Sequence, residues 1–148
     1  MRDVIEKPKP KLVVDTNVLI TTLNRKNPEF AIYTAFEQKS FDWIVSTEIL
    51  AEYAEKLADF YSETTANLVF DILCTATNVI FTEPFYRWGI IQDDPDDNKF
   101  SDVAISASAD GLLTFDRHYQ VFIDLKFPKL NIIHPKDFGP FLQKWAGR

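Results

Sequence analysis

The chain has 148 residues, 46% of them apolar, with a formal net charge of −6 and one cysteine, Cys74. That length supports one domain with a proper core. No apolar run approaches the roughly 18 residues of a membrane span, and a lone cysteine excludes an internal disulfide and suits a reducing cytoplasm. The negative charge argues against a surface coated in basic residues for nucleic acid, and four glycines with no phosphate-cradling loop leave P-loop or dinucleotide-fingerprint binding unsupported. Acids gathered around a metal would nevertheless lower the net charge while creating a site for phosphates.

Residues 1–10 read as a lead-in, kept out of helix by the prolines of Lys7-Pro8-Lys9-Pro10. They lack the apolar centre of a secretory signal. Residues 11–148 read as a single domain. The Leu12-Val13-Val14 run has no alternation, as in a strand buried on both faces, and it ends in Asp15. A helix then starts at Thr16, with Thr16 or Asn17 suited to capping it. After the Arg25-to-Pro28 loop, a helix over 29–38 leads to a strand over 41–45.

The segment 47–60 has the spacing of an amphipathic helix, with Ile49, Leu50, Tyr53, Ala54 and Leu57 on one face. At about 100° per residue Glu48 and Glu55 point away from that face, while Glu52 flanks it. Residues 62–77 predict another helix with Leu68, Ile72 and Leu73 inward, followed by a strand over 78–81. Residues 82–91 are irregular and aromatic.

Pro95 breaks the acidic run of residues 93–97, and Asp96 or Asp97 can cap a helix running to about Ala109. Its apolar stripe is Phe100, Val103, Ala104 and Ala107; Asp97 flanks the stripe and Asp102 lies nearly opposite. Residues 111–116 form a strand that again ends in an aspartate, Asp116. A helix over 117–125, a strand over 131–133 and a closing segment over 135–145 complete the chain. Strands alternating with helices, without hairpin signals, predict an α/β fold: a three-layer α/β/α sandwich around a mostly parallel sheet of four to five strands, Rossmann-like in topology.

In such a sheet Asp15 and Asp116 emerge at the same edge, and Glu52, one to two turns into a helix that begins there, stays within reach. Two like charges about 4 Å apart repel by roughly 4 kcal/mol at an effective dielectric of 20. The group must therefore share a proton or hold a divalent cation. Oxygen ligands with no cysteine or histidine nearby favour Mg²⁺ or Mn²⁺, ions suited to phosphoryl chemistry.

Four pieces together carry a family resemblance: Val-Val-Asp15-Thr-Asn-Val-Leu, Ser46 with Ile-Leu-Ala-Glu52, Asp94-Pro-Asp-Asp97-Asn-Lys-Phe, and Leu-Leu-Thr114-Phe-Asp116. In this order, over residues 11–138, they resemble the PIN-domain family of small metal-dependent nucleases. The resemblance implies Asp15, Glu52, Asp97 and Asp116 as an acidic quartet holding Mg²⁺ or Mn²⁺, with Asn17 and Thr114 as supporting polar residues. Spacing and wheel favour Asp97 as the third acid, and Asp102 stays an accessory candidate for the catalytic set. An RNA substrate, an antitoxin protein as partner, a homodimer and a cytoplasmic location also follow from the resemblance.

Blander readings accompany each residue. Asp15 is also suited to capping a helix, Glu52 to a solvated helix face, and residues 93–97 to an acidic turn. Arg117 and His118 suit a solvated helix start as well as a phosphate, and Lys7, Lys9, Lys11, Arg25 and Lys26 are scattered cations that could border the cleft. Cys74 and the many phenylalanines read as core or interface. The competing functions are a PIN fold used only for binding and a haloacid-dehalogenase-like phosphatase. The phosphatase needs an aspartate two residues after Asp15, where this chain has Asn17.

Overall fold

The structure, a computed structural model, describes residues 8–92 and 94–147. Most of the lead-in, with Lys7, and Asp93 of the acidic run lie outside the described residues. Five strands, β1 (Lys11–Val14), β2 (Asp42–Val45), β3 (Val79–Phe81), β4 (Gly111–Leu113) and β5 (Ile132–Ile133), form one sheet in the order β3-β2-β1-β4-β5. Every pairing is parallel. Leu12, Val13 and Val14 are all fully buried. Successive strand residues point to opposite faces, so both faces of the sheet are covered, which is the three-layer arrangement.

Six helices flank the sheet: α1 (Thr16–Thr22), α2 (Phe30–Glu37), α3 (Thr47–Phe60), α4 (Glu63–Thr75), α5 (Asn98–Ser106) and α6 (Phe138–Ala146). The strand order runs outward from β1 to β3 and then returns to β4 on the other side. The β1–β4 boundary is therefore the switch point, where ligands of open α/β sheets bind beyond the carboxyl ends of the strands. Gly111 opens β4 where a Cβ would sit 2.3 Å from Cδ1 of Ile133, so a side chain there collides with β5.

Several local expectations are corrected. Asp15 itself, rather than Thr16 or Asn17, is the N-cap of α1. On α4 the buried residues are Ala66, Val69 and Leu73, which meet α3 in an antiparallel-like hairpin of neighbours, whereas Leu68 is exposed. Cys74 is exposed, as are Phe60, Phe70, Phe81, Phe85 and Phe127. Residues Arg117–Ile123 wind as 3-10 turns instead of an α-helix, and Pro135–Asp137 forms another 3-10 turn before α6. The helix after Pro95 begins with a 3-10 turn at Pro95–Asp97 and ends at Ser106, with residues 100–104 all buried. The side opposite its apolar stripe, where Asp102 lies, is covered by the aromatic segment 82–91.

Candidate active site

Asp15 follows the last residue of β1, and its own N–H extends the ladder by donating to the Leu113 carbonyl at 2.9 Å. Its carboxylate is 5% exposed. Oδ1 accepts from the Thr16 N–H at 2.8 Å and Oδ2 from the Thr114 hydroxyl at 2.7 Å. Burial raises its pKa from 3.8 to about 6. The two hydrogen bonds oppose that rise, and the charges of Glu52 and Asp116 add to it.

The two threonines connect the acids. Thr16 also donates its hydroxyl to Oε2 of Glu52, on the second turn of α3. Thr114, buried just beyond β4, accepts from the Asp116 N–H at 2.9 Å. Asp116 and Asp97 then meet side chain to side chain. Glu52, Thr16, Asp15, Thr114, Asp116 and Asp97 thus form one continuous series of contacts around the switch point. Asp97 is held from behind by its carbonyl, which accepts the hydroxyl of the fully buried Tyr119 at 2.8 Å.

The Asp97 carboxyl is pushed from 3.8 up to about 7. Burial is the first cause, followed by the contact with Asp116 and the charges of Asp116 and Asp94; a hydrogen bond from His118 pulls the other way. His118 Nδ1 lies 3.2 Å from Oδ1 of Asp116 and 3.4 Å from Oδ2 of Asp97. Asp94, Asp97 and His118 each offer a ligand atom within 4.8 Å of the other two. A set of carboxylates that cannot all ionise together is what a divalent cation relieves, so the donor set fits a metal. His118 places an imidazole nitrogen beside the oxygen donors read from the sequence.

The cation inside the site is Lys99. Its Nζ donates to Oε1 of Glu52 at 3.0 Å, and both side chains are largely buried. Burial disfavours the Lys99 charge, but the hydrogen bond and charge of Glu52, with Asp96 and Glu48, hold its pKa above the usual value. Lys99 stood inside the Asp97-Asn-Lys-Phe piece, yet on a wheel it reads as an ordinary solvated lysine. Thr16 was likewise legible only as a cap candidate. Asn17 is exposed on the first turn of α1 and makes no side-chain hydrogen bond among the described residues.

Asp102 lies elsewhere. It is 4% exposed, and its Oδ1 accepts the Trp88 N–H at 3.0 Å; its carboxylate also accepts from the Gly89 N–H. Burial raises its pKa, and these bonds with the Arg87 charge offset part of the rise. Asp102 is thus the anchor of the segment 82–91, which crosses over α5 as a strap. The strap is also fixed by Glu83, whose Oε1 accepts the Thr47 N–H at 2.9 Å, and by Asn98, whose amide pairs with both the N–H and the carbonyl of Ile91 at 2.9 Å. Glu48, expected in water, is half-exposed and pairs with Arg87 of the strap at 3.2 Å.

Residues 11–118 match the PIN domain family. The chain belongs to the PIN-domain family. An uncharacterized protein of Methanocaldococcus jannaschii is 32% identical over 155 aligned residues, covering 95% of this chain and 97% of that one. Solved structures share the fold at low identity. A chain of VapBC2 from Rickettsia felis, bound to a DNA fragment from its promoter, aligns with a TM-score of 0.59 and 16% identity over 84% of this chain and 98% of that one. A chain of FitAcB from Neisseria gonorrhoeae aligns at 0.54 and 15%, over 84% and 98%. In this PIN-domain protein the acids meet at the β1–β4 boundary of the sheet, joined there by Thr16 and Thr114.

Proposed function

We propose that this PIN-domain protein is a metal-dependent endoribonuclease that hydrolyses RNA phosphodiester bonds. The observation that carries the reading is the contact between the Asp97 and Asp116 carboxylates beside the buried Asp15, a juxtaposition of like charges with no structural purpose of its own. Asp15, Glu52, Asp97 and Asp116 would hold Mg²⁺ or Mn²⁺, with His118 and Asp94 at the margin. A bound divalent ion supplies an activated water and stabilises the charge of the transferring phosphoryl group.

The chain's own residues prepare this site. Thr16 and Thr114 fix both oxygens of Asp15, so the carboxylate needs no reorganisation when its charge is called on. Thr114 sets the backbone at Asp116, and Tyr119 sets it at Asp97. Lys99 holds Glu52 at the cleft wall.

We infer further, from the family resemblance, that this protein works in the cytoplasm as the toxin of a toxin–antitoxin pair, with paired protomers; the VapBC2 and FitAcB structures support the antitoxin partner. The test is incubation of purified protein with RNA and Mn²⁺. Cleavage lost with EDTA and with Asp15→Asn supports the mechanism; cleavage that survives both rejects it, and no cleavage of any RNA favours a PIN fold used for binding alone.

A further inference from the structure

The strap carries features that metal chemistry does not use. Tyr86 and Trp88 meet edge to face with ring centroids 4.8 Å apart, and Trp88 meets Phe127 in the same manner at 5.4 Å. Tyr86 is 61% exposed and Phe127 76%. Large apolar rings are seldom left in water on an anchored segment, and this one is tied down by backbone bonds to Asp102 and Asn98. Beside the strap lies a cavity of about 250 Å³, lined by Arg87 and Lys99 together with the carboxylates Glu48, Asp96 and Asp102. Lys99 also bonds Glu52, so this cavity adjoins the candidate active site. Lys126 and Lys129, exposed beside Phe127, make no ion pair among the described residues.

We propose that the strap, with Phe127 packed against it, is a binding platform for single-stranded RNA beside the candidate active site, with unpaired bases stacking on Tyr86 and Phe127 and a phosphate meeting Arg87 in place of Glu48. Two arguments select this occupant. Exposed rings interleaved with cations on the rim of a cleft match single strands, whose bases offer π-faces and whose backbone offers charge. A chain of net charge −6 gains little from charge alone, and stacking supplies affinity that does not depend on it. The rings at the rim also favour single strands over duplex, since paired bases are not free to stack on a side chain.

The inference rests on the nuclease reading for its substrate, and the test separates the two. Binding is measured by fluorescence anisotropy of a labelled 12-nucleotide single-stranded RNA with the full chain carrying Asp15→Asn, so that nothing is cut. Tyr86→Ala with Phe127→Ala is expected to weaken binding by about fivefold or more per ring, the low end of what a base–aromatic stack is worth. Tyr86→Phe with Phe127→Tyr should retain it. Arg87→Gln is expected to lower the slope of log K against log salt by about 0.7, one phosphate contact on a single strand. Undetectable binding by the parent, or equal binding by the Ala variant, overturns the platform whether or not the unmodified chain cleaves RNA. So does full binding by Tyr86→Leu with Phe127→Leu, which keeps apolar bulk without a π-face. A change in oligomeric state of the Ala variant with RNA binding intact assigns the rings to a protein partner and also overturns it.

Discussion

Thr114 gives its hydroxyl hydrogen to Oδ2 of Asp15 at 2.7 Å across 99 residues of sequence, and its own Oγ1 accepts the Asp116 N–H at 2.9 Å. One side chain therefore sets the first and last acids of the site together. Thr114→Val keeps the shape and removes both bonds. It is expected to destabilise the protein by about 1.5–3 kcal/mol, the range for a hydrogen bond to a charged group, and to push the Asp15 pKa above its present value of about 6. The acidic limb of the pH–rate profile then moves to higher pH, while Thr114→Ser restores it. Profiles of Thr114→Val and parent that superimpose would exclude this role.

The raised pKa values of Asp15 and Asp97 also make a prediction for the metal-free protein. A carboxyl at 3.8 in the unfolded chain and about 6 when folded binds its proton more tightly in the folded state. Its contribution is therefore fully present below pH 3.8 and is lost as pH rises through about 6, and for Asp97 through about 7. For Asp15 that loss is on the order of 3 kcal/mol. In EDTA, Tm should fall between pH 4 and pH 7; Asp15→Asn should flatten the fall, and Mn²⁺ should cancel it. A metal-free Tm that climbs with pH over this window contradicts the reading.

The sheet was legible because its strands are short apolar runs; β1 runs directly into Asp15, whereas β4 stops at Leu113, three residues short of the expected end at Asp116. Glu52 was legible from its place at the margin of an apolar stripe. The wheel failed at Asp102, because a helical projection shows only the helix's own pattern. It cannot show that residues 82–91 return across α5 and bury the far side. The threonine links and the Lys99–Glu52 pair were hidden for a similar reason, since they join residues on different elements.

Asp97 and Asp102 are accordingly expected to separate on substitution. Asp102→Ala leaves the buried N–H of Trp88 without its acceptor, at a cost of about 1–3 kcal/mol, and loosens the strap. Mn²⁺ affinity measured by calorimetry should stay within about twofold of the parent, because the carboxylate belongs to the strap. Asp97→Asn should weaken Mn²⁺ binding by at least about tenfold, one ligand's worth at 1.4 kcal/mol, and should not lower Tm in EDTA, since it relieves a crowded charge. Reversal of these two patterns would make Asp102 the third acid.

Lys99 supplies the last contrast. Its ammonium pairs with Glu52, with both side chains shielded from water. Lys99→Met removes that cation and makes the site more negative by one charge. A partly shielded pair of this kind is worth about 1 kcal/mol, so Mn²⁺ should bind about fivefold more tightly. Cleavage should nevertheless fall at saturating Mn²⁺, because the ammonium faces the cleft where the RNA phosphates would pass. Tighter metal with weaker catalysis is a pattern that loss of folding cannot produce, since unfolding lowers both. Unchanged Mn²⁺ affinity in Lys99→Met would mean that the ion pair with Glu52 does not compete with metal, and Lys99 would then be a packing residue of the cleft wall.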